Sequence, residues 1–84
     1  MNEVQLKIDA LLARQESHLI NMAGAVIVLR RALIRQETDL AAAARVFYAR
    51  EMAAVNEING EINRLALQLC GAHQALAQVR GTIQ

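Results

Sequence analysis

An aliphatic or alanine side chain returns every seventh residue from Leu6 through Ala13, Ile20, Ile27 and Ile34. A second series runs through Leu12, Leu19, Val26 and Leu33. A seven-residue repeat sustained over four to five turns of the pattern suits helices that pack lengthwise and little else. The 84 residues contain no proline, and the four glycines are isolated. Hydrophobic residues make up 55% of the chain but aromatics only 2%. Ala, Leu, Gln, Glu and Arg recur throughout, and all favour helix. The chain therefore lacks the turn residues and aromatic strands of a β fold. Its length fits one all-α domain.

Asn2 is a suitable N-cap for a first helix, with Gln5 three residues on as in a capping box. With Leu12 at heptad position a, position d holds Ile8, Gln15, Met22, Leu29 and Gln36. This a/d spacing predicts the seam that packs against a second helix. The series Leu6, Ala13, Ile20, Ile27 and Ile34 falls at b, which is solvent in an ordinary hairpin. Polar residues gather at c (Lys7, Arg14, Asn21, Arg35) and f (Glu3, Ser17, Arg31), with Val28 a break in the pattern. The apolar arc is wider than one partner helix can cover. Leu6, Ile20, Ile27, Val28 and Ile34 are accordingly the predicted interaction face.

Residues 36–39, Gln-Glu-Thr-Asp, are the best place for a turn, with Thr38 or Asp39 capping the next helix. A continuous helix would exceed about 100 Å and would need partners along its whole length. The expectation is an antiparallel hairpin, helix 1 over about 2–36 and helix 2 over about 39–81, assembling into a bundle as a dimer or higher oligomer. In helix 2 the seam reads Val55, Ile62, Leu69, Leu76 and Ile83 at a, with Ile58, Leu65, Ala72 and Val79 at d. Asn59-Gly60 resembles a turn signal. The spacing from Val55 to Ile58 to Ile62 passes through it, so a continuous helix is preferred to a break near 59–60.

Leu19 to Leu29 reads LINMAGAVIVL. Eleven residues of helix cover about 16 Å, half of a bilayer core. The segment reads as a buried core stretch, the alternative being an interfacial or oligomer-embedded one, and no membrane span is expected. The polar start MNEVQLKID does not resemble a signal peptide, and a single cysteine suits a reducing compartment. The expected location is the cytoplasm.

Nine basic and eight acidic residues give a net charge of +1, which predicts no general attraction to nucleic acid or anionic lipid. Arg30, Arg31, Arg35, Arg45 and Arg50 gather toward the turn end and form a candidate partner-binding cluster. A solvated, salt-bridged surface is the plainer reading, because acidic residues lie nearby and aromatic interleaving is absent. Cys70 and His73 lie three apart on one helical face. With only His18 as a third ligand they do not make a zinc site, and no cleft or oxyanion hole supports a nucleophile–base pair. His18 borders the seam. Histidine changes charge near physiological pH, so a pH-sensitive interface is one reading of it. The favoured reading is a boundary histidine hydrogen-bonded to a neighbour or to water. Phe47 and Tyr48 are expected to close the turn end of the core. No phosphate loop, paired-carboxylate site or nucleophile elbow occurs. These features predict no enzyme and no cofactor. They point to a small adaptor, chaperone-like accessory protein or inhibitor that acts through an aliphatic helix face. The alternative is a dimeric helical-hairpin RNA-binding regulator using the arginines.

Overall fold

A computed structural model of the chain describes the backbone of residues 2–83 and the side chains of residues 2–71. Two helices, α1 (Glu3–Ile34) and α2 (Thr38–Ile83), fold back on each other as an antiparallel hairpin. The molecule is a rod of 70 × 21 × 14 Å. Helix α2 has 46 residues against 32 in α1, so it outruns α1 at the end away from the turn. Gly60 lies inside α2, and the helix passes Asn59-Gly60 without a break.

Asn2 caps α1 as expected. Its Oδ1 accepts from the Val4 amide at 2.8 Å. The rest of the capping box is absent, because Gln5 instead donates to Asp9, one turn on, at 3.1 Å. At the other end the Glu37 amide donates to the Ala32 carbonyl (2.8 Å) and the Gln36 amide to Leu33 (3.2 Å). These two bonds form a Schellman cap. Its pivot is Gln36, with φ 60°, a left-handed conformation usually left to glycine. Hence the turn carried no glycine signal. The residue before α2 is Glu37, whose carbonyl accepts from Ala41 at 3.0 Å. Thr38 and Asp39 lie inside the first turn instead of capping it. There the Asp39 carboxylate still favours the positive end of the helix.

The seam of α2 runs Ala41, Ala44, Tyr48, Glu51, Val55, Ile58, Ile62, Leu65 and Leu69, all buried or half-buried. From Val55 onward these are the predicted a and d residues, and Ala41, Ala44, Tyr48 and Glu51 extend the same spacing back to the turn. Its continuation at Ala72, Leu76, Val79 and Ile83 lies outside the described side chains. The seam of α1 differs from the prediction by a rotation. The positions turned toward α2 are Val4, Ile8, Leu11, Gln15, His18, Met22, Ala25, Leu29 and Ala32. Position g joins d in the contact, and position a is pushed out.

Residue size accounts for the rotation. Ala25 and Ala32 on α1 meet a stretch of α2 that contributes Ala41 and Ala44, and all four are buried. Small side chains on both helices let the backbones approach closely near the turn. Large residues at a would hold them apart. Polar groups fix the rest of the register. Gln15 Nε2 donates to the Val55 carbonyl at 3.4 Å and to Asn59 Oδ1 at 3.5 Å. His18 Nδ1 pairs with the Glu51 carboxylate, and Asn21 donates to the same carboxylate at 3.3 Å. A register slip would strand this half-buried carboxylate, and polar seam residues are a known means of fixing helix alignment.

Candidate interaction surface

In a coiled-coil-like helix, position b points almost directly away from a seam made of d and g. Leu6, Ile20, Ile27 and Ile34 occupy b on α1 and are exposed, Ile20 by 64% and Ile34 by 75%. The a stripe lies beside them. Leu12, Leu19, Val26 and Leu33 are also exposed, which corrects their assignment to the hairpin seam. Sequence reasoning missed these four as surface residues, and the neighbouring alanines at g were the available signal. Val28, at c, is 40% exposed. The predicted face is therefore on the surface, and it is broader than predicted.

Leu19–Leu29 is not a buried core segment. Of the most apolar eighteen-residue window of α1 only 11% is buried, and the helix is long and apolar enough to cross a membrane by length and composition. Ala25 is buried and Met22 and Leu29 half-buried, while Leu19, Ile20, Val26, Ile27 and Val28 remain outside.

Phe47 and Tyr48 separate. Tyr48 enters the seam half-buried, whereas Phe47 is 44% exposed and does not close the core. Beside it an open apolar groove of about 510 Å³ runs between the helices, lined by Ile20, Asn21, Gly24, Ala25, Val28, Ala44 and Phe47. Gly24 contributes no side chain, and a Cβ there would meet nothing within 4 Å. The groove is continuous with the b stripe through Ile20.

The five arginines are all exposed. Arg30 and Arg31 belong to the last turns of α1, Arg35 is its C-cap, and Arg45 and Arg50 lie in the first part of α2. None of them forms an ion pair among the described residues, contrary to the salt-bridged surface expected. The ion pairs there are Lys7–Glu3, His18–Glu51 and Arg64–Glu61. Cys70 is an exposed free thiol, and the side chain of His73 lies outside the described residues. No group of three metal-ligating side chains occurs among the described residues. His18 belongs to the seam, where Glu51 and Asn21 make it part of a structural polar layer. Comparison with protein-family models, with curated proteins and with solved structures returned no match to this chain.

Proposed function

We propose that this protein is a non-catalytic protein–protein interaction module, a small adaptor, chaperone-like accessory protein or inhibitor, that docks through the outer face of α1. One observation carries the reading: eight large aliphatic side chains at a and b stay in water while alanines fill the turn end of the seam. A soluble monomer rarely keeps so long an apolar strip exposed. Covering each of these residues contributes up to about 1.5–3 kcal/mol before ordering costs. The same reading keeps the protein cytoplasmic and off the membrane. Asp9, Glu16 and Arg30 border the b stripe, and lipid would desolvate these charges without supplying partners.

The test is to replace Ile20, Ile27 and Ile34 with Asp, one at a time. All three project from the hairpin, so each variant should keep its helical circular dichroism while its assemblies, sized by light scattering, fall apart. Variants that scatter like the wild type and bind the same proteins equally well would overturn the proposal.

A further inference from the structure

We infer that the occupant of this face is a second copy of the chain, laid antiparallel on α1 with the twofold axis between Ala23 and Gly24. The inference rests on the docking reading above and adds the partner and its orientation. Three observations carry it. The first is area. The eight exposed aliphatics leave on the order of 800 Å² in water, the share one partner contributes to a standard interface. The second is the centre of the face, where Ala23 and Gly24 are exposed and small, so two helices can approach closely. Residues equally far from that point then come level across the axis. Ile20 meets Ile27 of the partner subunit, Ala13 meets Ile34 of the partner subunit, and the a stripes run side by side along one edge.

The third observation is charge. Glu16 lies on the N-terminal side of the centre, and Arg30 and Arg31 lie an equivalent distance on the C-terminal side. None of the three has an ion-pair partner within the chain among the described residues. In the antiparallel arrangement Glu16 comes level with Arg30 and Arg31 of the partner subunit, twice per dimer. A parallel arrangement would set like charges side by side. A lipid surface would leave Glu16 without a counter-charge.

Charge reversal in trans reads this geometry. Glu16→Arg alone places two like-charge contacts in the dimer, and Arg30→Glu with Arg31→Glu does the same from the other side. Each variant should self-associate about tenfold or more weakly than the wild type. An equimolar mixture should recover the wild-type dimer, because both contacts of the heterodimer again join opposite charges. Sedimentation with one variant fluorescently labelled distinguishes the outcomes. Recovery in the mixture supports the antiparallel copy. Variants that associate like the wild type, or a mixture that stays dissociated, overturn it. If Ile27→Asp still disrupts wild-type assemblies in that case, docking stands and only the occupant is wrong. A monomeric wild type that co-sediments with phosphatidylcholine–phosphatidylglycerol vesicles through Ile27 overturns both.

Discussion

The two long faces of α1 are built to different specifications. The face toward α2 carries Ala25, Ala32, Gln15 and His18 beside its larger aliphatics, and among the described residues no large side chain is fully buried. The face away from α2 carries two stripes of Leu, Ile and Val with Asp9, Glu16, Ala23 and Arg30 between them. In a self-sufficient hairpin the stronger hydrophobes would line the seam. Their placement outside gives α1 two unlike faces. One is narrow and polar-marked, setting alignment within the chain, and the other is broad and aliphatic. A hairpin with so thin a core is marginal alone, since short chains bury little of their apolar surface. Covering the second face would then contribute directly to holding the first together.

Substitutions on the two faces should separate sharply. The largest effect belongs to Ile58, 4% exposed at the centre of the α2 seam. Ile58→Ala should cost about 2–5 kcal/mol in urea unfolding. Ile27→Ala, measured at a dilution where the chain is monomeric, should change stability by no more than about 0.5 kcal/mol. Equal costs would erase the distinction between the faces. The next effect concerns the polar layer. Glu51→Ala strips His18 and Asn21 of their shared acceptor and should cost about 1–2 kcal/mol. A neutral result would mean that this layer does not hold the register. Smaller and opposite in sign is Gln36→Gly. It relieves the left-handed pivot of the turn and should raise hairpin stability by about 0.5–1 kcal/mol. A loss of stability would show that Gln36 contributes through its side chain.

Heptad spacing made the α2 seam legible from Val55 onward, while the hairpin and its turn region followed from the polar residues 36–39 and the length a continuous helix would need. On α2 from Val55 onward nearly all the Ile, Leu and Val residues fall on one stripe pair, so the phase is readable there. On α1 the a and b stripes are aliphatic, d carries Ile8, Met22 and Leu29 beside Gln15 and Gln36, and g carries Leu11, Ala25 and Ala32. Spacing fixes the period of such a helix but not its rotation. The rotation came from features that a count of hydrophobes undervalues. Alanine against alanine near the turn draws the backbones together, and Gln15 and His18 find Asn59 and Glu51 across the seam. The Ile20, Ile27 and Ile34 stripe was recognisable as surplus because b is wrong for a two-helix contact. Leu12, Leu19, Val26 and Leu33 were hidden by occupying the conventional seam positions. Phe47 and Tyr48 show the same limit, since adjacent residues on a helix point about 100° apart and only one can enter a narrow seam.

Everything proposed for the outer face of α1 requires that another polypeptide cover it, a second copy in the first instance. Sedimentation velocity of the wild-type chain over a wide concentration range, beside Ile27→Asp, tests it most directly. The wild type should sediment as a dimer or larger assembly that dissociates on dilution, and the variant should stay monomeric while keeping its helical hairpin. A wild type that remains a stable monomer at every concentration, with the same sedimentation coefficient and unfolding midpoint as Ile27→Asp, would contradict it.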